Sequence, residues 1–330
     1  SPELKAREAE TLAGSMVAGI IGRANQPPSP FPKLDSQRRR DVAKRAAYLA
    51  LKVQGASLEQ MQFFETYLLY VFDEAVHVTP KDGIMLQVST DFYNVTFGIK
   101  ASRELMLRLA NRFLEACKVP DLRLYGRFVQ VHQETQGAEA WLFCYIKRIS
   151  GTHPALDFGY TLETQCDWLL LELLLPRSAD QETLRNIAMG ERRAPTSYGC
   201  SLMPVEPESS LSFNVVDQSF KSSVLTSLFI FKAMGLTKPE DMLLKALTSV
   251  KGKKVSLHAH LGPKGLTKLA SRIWEPLGDS FVEEVATAAR TELNAESLSA
   301  LNAELGVAGP AWIDFLAESR GYSVSVGYLM

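Results

Sequence analysis

The spacing of hydrophobic and polar residues along this chain changes period several times, and each change marks an element. Glu3–Arg23 has helical spacing, with Glu3, Glu8 and Glu10 early, Arg23 at the end and an apolar, glycine-interrupted half from Met16 to Ile21. That order of charge suits the helix dipole. Four prolines between Gln26 and Pro32 then force extended backbone. Residues 1–34 therefore read as a helical arm on a stiff, proline-rich linker. A helix follows over Gln37–Lys52, with Asp35 or Ser36 as N-cap and Gly55 as its stop. Ser57 and Gln60 have capping-box spacing and open a second helix. Its body, Met61–Phe72, is apolar on most sides and reads as a core helix.

From Gly83 the period becomes two. Ile84–Ser89 and Phe92–Ile99 read as strands, with Tyr93, Val95, Phe97 and Ile99 on one face. Ala101–Lys118 is helical and stops before Pro120. Leu122–His132 and Ala140–Ile149 supply two more strands, so this part reads as antiparallel sheet with a helix against one face. Tyr160–Leu175 and Asp180–Met189 read as helices, and Gly190–Glu208, with Pro195, Pro204 and Pro207, as a loop. Leu211–Val216 is a strand; Gln218–Met234, closed by Gly235, and Pro239–Val250 are helices. Val255–Leu261 alternates as a strand, the Gly-Pro-Lys-Gly run Gly262–Gly265 turns the chain, and a helix is expected from Leu266–Thr267. Asp279–Leu293, Ala295–Leu305 and Pro310–Glu318 read as helices, and Tyr322–Tyr328 as a last strand. The expected class is α+β: antiparallel sheet layers packed with helices, helix-rich in the N- and C-terminal parts. Residues 35–190 form one α+β domain, and 191–330 form a second or its direct continuation.

Composition narrows the function classes. With 330 residues, 46% hydrophobic, 22% charged and a net charge of −1, the chain is no polyelectrolyte. A nucleic-acid role would need a local basic patch. No apolar run approaches the roughly 20 residues that span a bilayer. Four cysteines (Cys117, Cys144, Cys166 and Cys200) without a C-x-x-C pair point to a cytoplasmic or other reducing compartment and to buried free thiols. Starting at Ser1, the chain reads as processed or trimmed, and its opening lacks the charge-then-apolar order of a signal peptide.

Charge is distributed unevenly. Between Met242 and Trp274 lie Lys245, Lys251, Lys253, Lys254, Lys264, Lys268 and Arg272 with no acidic residue, and the following thirty residues are acidic. Such polarity creates a local field at zero net charge. The candidate anion site is Lys251, Lys253, Lys254, Gly262, Lys264, Gly265, Lys268 and Arg272, built on the amides of the helix expected after the turn. Ser256, His258 and His260 share one strand face and form a candidate polar site. Two histidines at that spacing could reach one metal ion, yet the sequence locates no third ligand, so no metal or cofactor is assigned. Arg38, Arg39, Arg40, Lys44 and Arg45 make a second basic face. Their charge opposes the dipole at a helix start, so they do not serve helix stability.

No G-x-S-x-G, H-E-x-x-H, Walker, dinucleotide-binding or kinase pattern occurs. The reading favoured by the sequence is a non-catalytic intracellular binding or assembly protein. It would self-associate, or bind a protein or nucleic-acid partner, through the arm and a basic surface. The alternative is an enzyme, a transferase, acting on a phosphorylated or other anionic small molecule held at the Gly262–Gly265 turn.

Overall fold

Alternation along the strands sorts the chain into two faces, and the fold follows from where each face is buried. On β2 (Asn94–Ser102) and β3 (Glu139–Lys147), Val95, Phe97, Ile99, Ala140, Leu142, Cys144 and Ile146 are buried in the main apolar core. The residues between them, among them Thr96, Lys100, Trp141, Phe143 and Tyr145, line an internal cavity. The computed structural model describes residues 36–118, 125–126, 129–130, 139–148, 154–161, 197–202, 208–214, 255–262, 265–274, 279–318 and 321–330.

The remaining strands are β1 (Ile84–Ser89), β4 (Ala155–Thr161), β5 (Ser197–Leu202), β6 (Glu208–Asn214), β7 (Val255–Gly262), β8 (Gly265–Trp274), β9 (Trp312–Glu318) and β10 (Gly321–Leu329). Among the described residues these ten strands pair antiparallel in chain order, and β1 pairs with β10, so the sheet closes into a barrel. Closure removes both sheet edges.

Helices coat the outside. In α1 (Ser36–Gln54), Ala43, Ala46, Ala47 and Ala50 are fully buried at helical spacing, which lets the helix lie close on β1 and β2. Gln54, at its end, donates to the carbonyls of Tyr93 and Ile146 at 2.9 Å each. Gly55 follows in the left-handed region at φ 76°, where glycine is favoured. The Ser57–Gln60 capping box is present at the start of α2 (Leu58–Tyr67), which continues through a π-helical turn, Leu68–Phe72, to Ala75. Helix α3 (Arg103–Ala116) packs on β2 and β3; α4 (Asp279–Ala289) packs on β10; α5 (Ala295–Leu305) packs on α1. The apolar strand faces thus point outward onto helices, and the polar faces point inward.

This architecture corrects the expected α+β layers with helix-rich ends. The strands form one closed antiparallel barrel, and those on either side of residue 190 share its wall through the β4–β5 and β1–β10 pairs. Leu266–Trp274 is strand β8, not a helix. Leu266, Leu269, Ala270 and Ile273 fit a helical stripe in the sequence, but pairing with β7 and β9 imposes a period of two. Pro310–Glu318 likewise yields β9, because Ile313 and Phe315 face the outer core while Trp312 and Asp314 line the cavity. In the expected strand Leu122–His132, the described residues 125–126 and 129–130 are helical, and the expected loop Gly190–Glu208 contains β5. Residues 1–34 and the expected helices at 180–189, 218–234 and 239–250 lie outside the described residues, as does the 162–175 part of the helix expected from Tyr160. Among the described residues, no helix is long and apolar enough to cross a membrane.

Candidate functional site

The inward faces of the strands enclose a cavity of about 350 Å³. Among the described residues, three cationic side chains line it: Lys100 on β2, and Lys268 and Arg272 on β8. Burial, reinforced by the nearby Arg272 charge, lowers the Lys100 pKa, while Glu139 partly offsets the shift. Arg272 is fixed most firmly. Its Nε and Nη2 each donate to Asp314 at 2.7 Å, and Nη2 also reaches Gln87 Oε1 at 3.2 Å. Gln87 in turn donates to Asp314 at 2.9 Å. The guanidinium lies 4.6 Å from the ring centre of Trp312 and 5.4 Å from that of Trp274. A planar cation close to indole rings is attracted by the ring quadrupole.

The histidine strand lies beside this cluster. Ser256 pairs with Arg272 in register, His258 with Ala270, and His260 with Lys268. Trp274 Nε1 donates to Ser256 Oγ at 2.8 Å, and Ser256 Oγ lies 3.2 Å from His258 Nε2. Burial first, then Arg272 and Lys100, hold the His258 pKa well below the usual imidazole range. Burial and Lys268 pull His260 down to about 3. Both rings are therefore neutral near pH 7. A neutral imidazole beside fixed cations can hydrogen-bond an anion without adding a desolvated charge of its own.

Across the lumen stands β3. In a ten-strand barrel β3 and β8 are opposite one another, yet Lys268 Nζ reaches within 5.7 Å of the Tyr145 ring centre. Trp141 and Phe143 lie on the same inward face as Tyr145. The cavity thus places aromatic faces opposite a cationic wall. Among the described residues, no three His, Cys, Asp or Glu side chains come together as a metal site would require.

The structure divides the sequence-derived site. Ser256, His258, His260, Lys268 and Arg272 share the lumen. Gly262 and Gly265 pair with each other at the β7–β8 turn, so the expected helix N-terminus does not exist there. Lys251, Lys253, Lys254 and Lys264 lie outside the described residues. The second basic face is outside the barrel and is engaged within the chain. Arg40 and Lys44 pair with Asp73, Arg45 pairs with Glu304, and Arg39 donates to the carbonyls of Thr79, Pro80 and Met330. Arg38, beside them, has a contact of its own. Cys117, Cys144 and Cys200 are free thiols, and burial raises all three pKa values. Sequence reasoning missed Lys100, Gln87, Asp314 and the inward aromatics. Their signal was the same alternation that gave the strands, but without closure nothing said that these polar faces meet.

No protein-family model matches the sequence, and no curated protein matches it. Solved structures do match in three dimensions. AnaPT from Neosartorya fischeri superposes with a TM-score of 0.64 at 11% identity, covering 94% of this chain and 96% of that one. PriB, in its binary complex with product diphosphate, has a TM-score of 0.61 at 10% identity, covering 88% and 95%. The 5-dimethylallyltryptophan synthase from Streptomyces coelicolor has a TM-score of 0.61 at 9% identity, covering 88% and 96%. The fold is shared with prenyltransferases. PriB has also been captured with L-tryptophan and dimethylallyl thiolodiphosphate.

This likeness overturns the reading of the chain as a non-catalytic binding or assembly protein, because the barrels it matches belong to enzymes of small-molecule chemistry. The charge pattern that prompted that reading is used otherwise. Arg40, Lys44 and Arg45 form ion pairs within the chain, and Lys268 and Arg272 face inward.

Proposed function

We propose that this protein is a transferase that moves an alkyl group from an anionic diphosphate donor to an aromatic acceptor inside the barrel. The observation that carries the proposal is one barrel lumen that brings Lys268 and Arg272 of β8 and Lys100 of β2 together with the aromatic faces of β3. Lys268, Arg272 and Lys100, assisted by neutral His258 and His260, would hold the diphosphate. The bond between the donor's allylic carbon and its oxygen breaks, and the electron pair leaves with the diphosphate, where fixed cations stabilise the developing charge. The allylic cation left behind is stabilised over aromatic faces, with Tyr145 nearest the cationic wall. An electron-rich ring carbon of the acceptor attacks that cation, and the ring then loses a proton. Asp157, which lines the cavity on β4, is the proposed proton acceptor. Closure of the barrel excludes bulk water that would quench the cation.

Lys251, Lys253, Lys254 and Lys264, which lie outside the described residues, are proposed to add to the charge that attracts the anionic donor. The test is incubation with dimethylallyl diphosphate and L-tryptophan or other indoles, following diphosphate release and alkylated product. Turnover that falls at least 100-fold in Lys268→Ala supports the reading. No release with any aromatic acceptor, together with no binding of inorganic diphosphate, overturns it.

A further inference from the structure

Ser256 carries a buried hydroxyl, 1% exposed as a residue, within reach of two nitrogen atoms. Trp274 Nε1 lies 2.8 Å from its Oγ, and His258 Nε2 lies 3.2 Å from it. An indole nitrogen only donates, so Ser256 Oγ accepts from Trp274. The hydroxyl then has one hydrogen of its own to place. Among the described residues its other polar partner is His258 Nε2, and a buried hydrogen left without an acceptor carries the full cost of its lost hydration. The hydrogen therefore goes to Nε2. That nitrogen is the bare one of a neutral imidazole, and the single ring proton sits on Nδ1. Burial, with Arg272 and Lys100 nearby, keeps the ring from taking a second proton. His258 lines the cavity, and its Nδ1 has no hydrogen-bond partner among the described residues.

We propose that Trp274 and Ser256 are positioning residues that fix His258 as its Nδ1–H tautomer, so that it presents a neutral donor to an oxygen of the diphosphate. The inference rests on the transferase reading and deepens it by assigning one contact to its donor. An N–H directed at an anion adds a hydrogen bond without burying a further positive charge beside Arg272 and Lys100. The Trp274 ring centre also lies 5.4 Å from the Arg272 guanidinium, so one side chain braces both the imidazole and the cation. With Nε2 occupied and Nδ1 protonated, His258 has no lone pair for the proton that the acceptor ring loses. That step stays with Asp157.

The experiment records proton–nitrogen correlation spectra of the full chain with isotope-labelled histidine near pH 7, where a protonated and a bare ring nitrogen give distinct signals. The spectrum of His258→Leu assigns the His258 signals by their absence. Wild-type His258 is expected to show Nδ1 protonated and Nε2 bare. Ser256→Ala is expected to bring in the Nε2–H form and to weaken binding of inorganic diphosphate about tenfold, the loss of one hydrogen bond to an anion. Ser256→Thr, which restores the hydroxyl, is expected to restore both. Trp274→Phe keeps a ring beside Arg272 but has no N–H, so Ser256 Oγ can accept from His258 and the Nε2–H form is expected to appear. In the His258→Leu background, Ser256→Ala is expected to leave diphosphate affinity where His258→Leu alone puts it. A tautomer unchanged in both Ser256→Ala and Trp274→Phe, or additive losses in the double variant, would overturn the relay. Wild-type protein that binds diphosphate with His258 in the Nε2–H form would also overturn it and leave the transferase reading standing. Failure to bind diphosphate would remove that reading, and the anion contact with it, whatever the tautomer.

Discussion

Arg272 is the most constrained charged side chain in the lumen. Asp314 is 4% exposed at its side chain and Arg272 15%, so each depends on the other for hydration lost on folding. Removing one partner of such a pair leaves an uncompensated charge, which costs about 3–5 kcal/mol, whereas an exposed pair contributes less than about 1 kcal/mol. Asp314→Ala is therefore expected to lower the free energy of unfolding several-fold more than Glu304→Ala, which frees the 59%-exposed Arg45. Denaturant titration of the two variants measures the contrast, and equal losses would contradict it. His258 and His260 give a second expectation at this scale. Unfolded histidines titrate near 6.5. The folded values lie below that, about 3 for His260. Below pH 6.5 the unfolded chain thus binds protons that the folded barrel refuses, and stability falls as the pH drops toward the folded values. Above pH 6.5 this contribution is fully present. The limiting slope is about 1.4 kcal/mol per pH unit for each histidine. The His258→Asn/His260→Asn protein is expected to show a flatter fall in stability between pH 6.5 and 4; an unchanged acid limb would contradict the buried, neutral assignment.

Among the elements, α1 and β8 show how far local pattern reaches. The alanines of α1 and the capping box of α2 were legible because helical spacing and cap chemistry are local properties of a few residues. The contact of α1 with the sheet needs small side chains, and Ala46→Leu is expected to cost about 1–3 kcal/mol by overpacking, read as a lowered denaturation midpoint. Gln54→Leu removes hydrogen bonds to two carbonyls that have lost water, one of them buried, and is expected to cost about 1–3 kcal/mol. No change in either variant would mean that α1 is not seated on the sheet as described. Strand β8 was illegible for the opposite reason. Its apolar residues satisfy a helical and a strand period at once, and only the pairing partners on β7 and β9 decide between them. In β9, a proline at Pro310 that would suit a helix start outweighed the alternation of Trp312 to Phe315. The close contact of Gly98 with Phe143 was equally hidden, because the two are 45 residues apart in sequence and become neighbours only through the β2–β3 register.

For the whole molecule, closure is the decisive event. The pairing of Met85–Ser89 with Ser325–Leu329 joins segments some 240 residues apart and turns an open sheet into a barrel. Backbone amides of β1 and β10 are expected to exchange with deuterium as slowly as those of β7 and β8; fast exchange confined to the β1–β10 seam would indicate an open sheet. The sequence by itself determined which residues alternate, where α1, α2 and α3 run, and that Ser256, His258 and His260 share a face with basic neighbours close by. These follow from periods of 2 and 3.6 and from caps, which act over a few residues. Only the tertiary structure decided that polar strand faces meet in one lumen, that Lys100 joins Lys268 and Arg272 there, and that the aromatics of β3 stand opposite β8. An isolated strand has two faces and no intrinsic inside. Burial of the apolar face under the helices makes the other face the lining of a site.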